Sequence, residues 1–187
     1  MLLYKYRGLT AFKNFVDITL NSRMYAAPYF ELNDPMEGQY LFSPTGELDE
    51  DMTYLLKSEK EKLRILSLSR NPDIALMWAH YAEGNKGVAI GVEIDRNKYD
   101  IRPVNYDGPL HIGARNFHRG SATDVLCQKL SPWQYEEEER VFVRSRKYVE
   151  VRIREVILGS RMSNQDRGFI KDIVNTLCPN ADVISQA

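Results

Sequence analysis

Four consecutive glutamates, Glu136 to Glu139, stand between Trp133 and Tyr135 on one side and the run Val141-Phe142-Val143 on the other. In an extended chain successive side chains point to opposite faces. Glu136, Glu138 and Arg140 then share one face with Phe142, while Glu137 and Glu139 share the other with Val141 and Val143. Two carboxylates on one face could do chemistry. The plainer reading is a row of exposed edge charges that discourages sheet-to-sheet aggregation. Glu138 and Arg140 could also be a simple exposed ion pair, of small energetic weight. A metal-dependent nuclease is a further reading, because Glu136, Glu138 and Lys129 echo an E-x-E…K arrangement. It needs clustered Asp, Glu or His ligands for a divalent cation, and no such Asp is evident.

The elements that must position these groups follow from periodicity. Leu2 to Arg7 alternates and predicts an opening strand, with Tyr4 and Tyr6 on one face and Lys5 and Arg7 on the other. A helix follows, capped by Thr10, with Phe12, Phe15, Val16 and Leu20 on its apolar face. Arg23 to Leu32 predicts an edge or bulged strand, because Pro28 interrupts it. Asn33-Asp34-Pro35 is a turn signal, which leaves Glu37 open. A charged helix over 49–62 leads into the alternating strand Leu63 to Ser69, and a helix over 74–82 places Ile74, Met77, Trp78 and Tyr81 together. A β-branched strand spans 86–94, a strand covers 101–107, and a long loop runs from Gly108 to Gly120. A helix over 121–130 should hold Cys127. The strands over 137–145 and 148–159 read as an antiparallel pair. A helix over 163–178 carries a capping box at Ser163 and Asp166 and an apolar stripe with Phe169, Ile170, Ile173, Val174 and Leu177. Ala181 to Ser185 adds a last strand.

Strands and helices alternate without a regular βαβ rhythm. The expected fold is therefore a single α+β domain over 1–187, with a mixed, largely antiparallel sheet and flanking helices. No G-x-G-x-x-G or G-x-x-x-x-G-K-[ST] motif is present, which disfavours Rossmann and P-loop chemistry. The 187 residues carry a net charge of −1, so no overall basic field favours nucleic acid, although Arg140, Arg144, Arg146, Lys147, Arg152 and Arg154 lie close in sequence. The first residues do not read as a signal peptide, and no apolar run reaches membrane-spanning length. Cys127 and Cys178 lie in no C-x-x-C motif and read as buried thiols in a reducing cytoplasm. His111 and His118 lack a third ligand at metal-like spacing, so no metal is expected.

Further candidates stand beside ordinary structural roles. Tyr6 or Lys5 could contact a nucleotide, or belong to an edge strand. Ser67 and Ser69 give one strand face two hydroxyls suited to a ribose or phosphate. His80 borders the stripe of Trp78 and Tyr81. Gly84 and Gly87 flank a tight turn whose amides could meet a phosphate.

Several pieces, in this order, resemble the bacterial domain-of-unknown-function 2971 family: Leu3 to Arg7, Leu32 to Gly38, Ile65 to Arg70, Leu76 to Ile94, and Lys129 to Arg140. In that family the last piece reads Trp-x-Tyr-Glu-x-Glu-x-Arg, which falls on Trp133, Tyr135, Glu136, Glu138 and Arg140. The chain departs from it at Ala26 and Ala27, where the family carries Phe-Ser. The family is similar in layout to the ADP-ribosyltransferase superfamily. That resemblance implies an ADP-ribosyltransferase-like fold and NAD as the bound nucleotide. It implies Glu138 as the catalytic carboxylate, with Glu136 orienting the nucleophile or holding it by hydrogen bonding, or the two with these roles exchanged. The nucleotide contacts it implies come from Lys5 and Tyr6, from Ser67 and Ser69, from His80 and Tyr81, and from Tyr135 and Arg140. Cleaving the nicotinamide–ribose bond develops positive charge on the ribose, which a carboxylate stabilises.

Two function classes follow. One is an NAD-consuming transferase, a bacterial toxin or phage-defence effector, acting on a protein or nucleic-acid acceptor with no membrane partner. The other is a non-catalytic module of the same fold that binds a nucleotide, a nucleic acid or a protein. They separate on whether Glu136 and Glu138 face a cleft with Tyr6 and Ser67 or lie in solvent.

Overall fold

The computed structural model describes residues 1–34, 36–42, 46, 48–118 and 120–186. Pro35 of the predicted turn lies outside them. In chain order the elements are β1 (Leu3–Arg7), α1 (Phe12–Asn21), β2 (Arg23–Tyr25), β3 (Ala27–Pro28), β4 (Tyr40–Phe42), α2 (Glu50–Lys62), β5 (Leu63–Ser69), α3 (Ala75–Tyr81), β6 (Val88–Glu93), β7 (Asp100–Pro103), β8 (Leu110–Ile112), α4 (Ser121–Val125), β9 (Glu138–Arg144), β10 (Tyr148–Glu150), β11 (Arg152–Leu158), α5 (Asn164–Leu177) and β12 (Asp182–Ser185). Short 3-10 helices span Tyr29–Glu31 and Ser131–Glu136. The fold is α+β.

The main sheet runs β12-β11-β6-β1-β5-β9-β7, with β3 added against β5. Only β11 and β12 pair in parallel within it, so the sheet is mixed and largely antiparallel. One face buries Leu66, Leu68, Val88, Ile90, Val92 and Val141 against Phe15 and Ile18 of α1 and Ile170 and Val174 of α5. The opposite face carries two separate clusters. Leu63, Ile65 and Phe142 pack against Leu56 of α2 and Val125 of α4. Tyr4, Tyr6 and Ala89 pack against Met77 and Trp78 of α3. That division leaves a gap in the cover of this face.

The sheet is weakest at one seam. β5 and β9 share seven register pairs and β1 and β6 share five, but β1 and β5 meet only at Tyr4↔Ser69. Beyond that pair the ladder ends, and the ammonium of Lys5 donates to the Ser67 carbonyl at 2.9 Å.

Several predicted elements differ. β11 does not pair with β9; it pairs with β6 and β12, while β10 separates from it and pairs with β2. The capping of α1 is not by Thr10: its start, Ala11, has no side-chain cap, and the Glu83 carboxylate accepts from the Leu9 and Thr10 amides. Leu20 is exposed, because the apolar face of α1 is carried by Phe15 and Ile18. Phe169 is also exposed on α5, where it stacks on Phe12 at 5.6 Å. The loop from Gly108 contains β8, paired in parallel with β4. α4 ends at Val125, so Cys127 lies beyond it, buried, its thiol pushed up to about 12 by burial. Among the described residues no helix is long and apolar enough to cross a membrane.

Candidate functional site

The seam opens into a cavity of about 420 Å³. Tyr4, Lys5, Tyr6 and Arg7 line it from β1, and Ser67, Leu68 and Ser69 from β5. Met77 and Tyr81 of α3 and Asn33 close another side, and Lys129, Glu136 and Glu138 form the floor. Seven of the ten residues singled out in the sequence as site residues therefore meet here: Tyr6, Lys5, Ser67, Ser69 and Tyr81 gather around Glu136 and Glu138, whereas His80, Tyr135 and Arg140 do not line the cavity.

Each absence has a physical reason. His80 is one position off the α3 stripe of Met77, Trp78 and Tyr81 and points to solvent. Tyr135 packs at the edge of the Tyr6–Trp78 cluster. Arg140 is fully buried behind Glu138.

The glutamates are not exposed edge charges. Glu136 is 4% exposed and Glu138 3%, and Glu139 is buried on the other side with Arg96 at 3.0 Å. Glu136 does not lie on the strand. It ends the 3-10 helix, and Glu137, with φ 45°, turns the chain so that Glu136 and Glu138 converge. Such a left-handed residue other than glycine is uncommon and marks a specified turn. Its carbonyl accepts from the Arg70 amide at 3.0 Å, which ties this turn to the end of β5.

Two cations hold three carboxylates here. Lys129 Nζ lies 2.5 Å from Glu136 Oε2, 3.2 Å from Glu138 Oε2 and 3.4 Å from Glu37 Oε1. Arg140 Nε donates to Glu138 Oε1 at 2.8 Å and Nη2 to Oε2 at 3.1 Å. Its Nη2 is also 2.6 Å from Glu37 Oε2, a close ion pair without hydrogen-bond alignment. Burial would raise the Glu138 carboxyl, but Arg140 and Lys129, aided by the Ser67 hydroxyl, outweigh it and hold it at about 2. Glu138 is thus ionised at neutral pH. Burial prevails at Glu37, whose carboxyl is raised despite the same two cations. Tyr81 donates to Glu136 Oε1 at 2.7 Å and accepts from Asn33 at 2.6 Å.

The β1 bank is cationic. Burial, then Arg7, lowers Lys5 to about 8, against the pull of Glu138 and Glu136. Arg7 Nε is buried with no hydrogen-bond partner among the described residues. Tyr6 is committed: its hydroxyl donates to Asn71 O and accepts from the Ile74 amide, and its ring meets Trp78 edge-on at 5.3 Å.

No protein-family model matches the chain, and neither a curated protein nor a solved structure gives a significant match.

Sequence reasoning left Glu37 open, did not single out Asn33 or Arg7 as site residues, and met Lys129 only as part of a nuclease pattern. The available signal was a carboxylate just past a turn that Asx chemistry already explained. The nuclease reading loses its ligands, since the oxygens of Glu136 and Glu138 face Lys129 and Arg140. No group of three His, Cys, Asp or Glu among the described residues is arranged to hold a metal. Of the basic set, Arg140 is buried, Arg144 pairs with Glu59, and Arg152 and Arg154 pair with Glu93, while Arg146 and Lys147 are exposed.

Proposed function

We propose that the cavity binds NAD and that the protein is an ADP-ribosyltransferase-like enzyme, related in fold and family as the ordered sequence pieces imply. One observation carries the reading: Glu136 and Glu138 open into the same cavity as Tyr6, Ser67 and Lys5. The donor set suits the ligand. Lys5 and the unpartnered Arg7 Nε offer positive charge to a pyrophosphate, where Arg gives directional donors. Tyr4 and Tyr81 offer rings to a base or nicotinamide.

In the reaction the ribose C1′–nitrogen bond breaks and its electron pair leaves with nicotinamide. Ionised Glu138 stabilises the positive charge left on the ribose, and a nucleophile then forms a bond to C1′. Glu136, held by Tyr81 and Lys129, orients the nucleophile. A bacterial toxin or phage-defence role on a protein or nucleic-acid acceptor belongs to the same reading, as does a cytoplasmic setting.

A second reading is a nucleotide-binding module without turnover. It is favoured by the engagement of both Glu138 oxygens with Arg140 and Lys129. Calorimetric NAD binding with nicotinamide release, for wild type and Glu138→Gln, separates the two. Binding with release that the variant abolishes supports the transferase. Binding without release selects the module, and no binding refutes both.

A further inference from the structure

Both site carboxylates are tied to one short turn. Asn33 Nδ2 donates to the Tyr81 hydroxyl, which donates to Glu136. Four residues on, Glu37 faces Arg140 and Lys129, the two cations that hold Glu138. We infer that Asn33, Asp34 and Met36 to Gly38 together are the positioning element of the site. Asn33 sets Glu136 through Tyr81, and Glu37 sets Glu138 through Arg140 and Lys129.

The turn is built to hold a fixed shape. The Asp34 carboxylate accepts from the Met36 amide at 2.9 Å, and the Asp34 carbonyl accepts from the Glu37 amide at 3.0 Å. Gly38 has φ +77°, and a Cβ there would sit 3.3 Å from both Leu126 and Tyr29, so other residues are strained in conformation and crowded in space. Buried Lys60 of α2 donates to the Gly38 carbonyl at 2.8 Å. The frame of the turn is thus fixed from both sides, and Asn33 and Glu37 reach inward from it.

The chemistry of each link is specific. By donating to the Tyr81 oxygen, Asn33 directs the Tyr81 proton to Glu136. Glu37 acts on Arg140 by charge, since the 2.6 Å contact lacks hydrogen-bond alignment. Without Glu37, Arg140 and Lys129 face Glu136 and Glu138 alone and draw closer to them, which pulls Glu138 back from the cavity. A neutral isostere therefore loses the link, and a shorter carboxylate retains part of it.

The kinetic part of this inference rests on the NAD reading; the structural part does not. Glu37→Gln, Glu37→Asp and Asn33→Ala test both. In Glu37→Gln nicotinamide release falls about tenfold while the Kd for NAD stays within about twofold, as expected for misplacement of a reacting group. Glu37→Asp recovers part of the rate. Asn33→Ala, at a residue that also lines the cavity, lowers release by a larger factor than it weakens NAD binding. A parallel loss of binding and release in all three variants would overturn the inference. The Arg140 Nε–Hε NMR resonance, assigned by its disappearance in Arg140→Lys, moves in Glu37→Gln and returns toward its wild-type place in Glu37→Asp. If wild type binds no NAD, the functional reading fails but this resonance still decides the inference, and an unmoved resonance in Glu37→Gln overturns it.

Discussion

Arg140 grips Glu138 through two parallel contacts, Nε to Oε1 at 2.8 Å and Nη2 to Oε2 at 3.1 Å, from two positions further along the same strand face. Its remaining Nη1 donates to the Leu126 carbonyl. The guanidinium is therefore a buried hub between β9 and the segment after α4. Burial disfavours its charged form, but Glu138 and Glu37 outweigh this and raise its pKa. Removing one partner of such a group leaves uncompensated buried charge. Arg140→Met should destabilise the fold by about 3–5 kcal/mol, whereas Arg140→Lys, which keeps the charge and loses the fork, should cost less. Urea unfolding measures both. A loss below about 1 kcal/mol in Arg140→Met would refute the hub.

Glu138 also predicts a limb in the acid stability profile. Burial opposes its charge, yet Arg140 and Lys129 hold its folded carboxyl at about 2, below the unfolded value near 4.3. A carboxylate with a depressed folded pKa contributes stability above the unfolded pKa and loses it as pH falls through the folded one. The stability advantage of wild type over Glu138→Gln should be full above about pH 5 and shrink toward pH 2. Urea midpoints across that range test this, and an advantage independent of pH would contradict the ion-pair geometry.

Local patterns made most elements legible. The alternation of β1 and β5, the β-branched run of β6 and the apolar stripe of α5 were each visible as local patterns. What could not be read was partnership. The short connection between β9 and β10 suggested a hairpin, but β10 leaves the main sheet to join β2, and β11 is drawn to the far side of β6. Glu136 and Glu138 were legible as neighbours, although by the wrong route: a left-handed Glu137, not strand alternation, brings them together. Their burial was not legible, because it depends on Lys129 and on Glu37, whose side chains meet them only through tertiary contact. A run of four glutamates looks wet until its cations are placed.

Glu83 anchors the turn that leads into a helix distant in sequence. Its carboxylate accepts from the Leu9 amide at 2.7 Å and the Thr10 amide at 3.1 Å, just ahead of α1, while its own φ is 51°. A Cβ at Gly8 would lie 2.6 Å from Glu83 Cγ, so glycine permits the approach. A hydrogen bond typically contributes about 1 kcal/mol net, and Glu83→Ala should cost roughly 0.5–1.5 kcal/mol. Hydrogen exchange at the Leu9 and Thr10 amides should accelerate with it. Unchanged exchange at both amides would show that Glu83 does not hold the turn ahead of α1.

Lys5 gives a second pH signature, of opposite placement. Burial first, and then Arg7, lower its folded pKa to about 8, below the unfolded lysine value near 10.4. The folded state therefore binds the Lys5 proton less well than the unfolded chain does. The protonated amine is a burden at neutral pH, and stability attributable to this residue rises as pH climbs from about 8 toward 10. Relative to Lys5→Met, wild type should gain stability over that interval, since the remaining titrating groups are common to both proteins and cancel in the difference. Under the NAD reading the same deprotonation removes a positive charge from the pyrophosphate bank, so affinity should decline above about pH 8 in wild type and stay flatter in Lys5→Met. Urea midpoints and NAD titrations at pH 7, 8.5 and 9.5 read the two effects separately. A stability difference that stays constant across these points would place the Lys5 ammonium in a more hydrated setting than the seam between β1 and β5 provides.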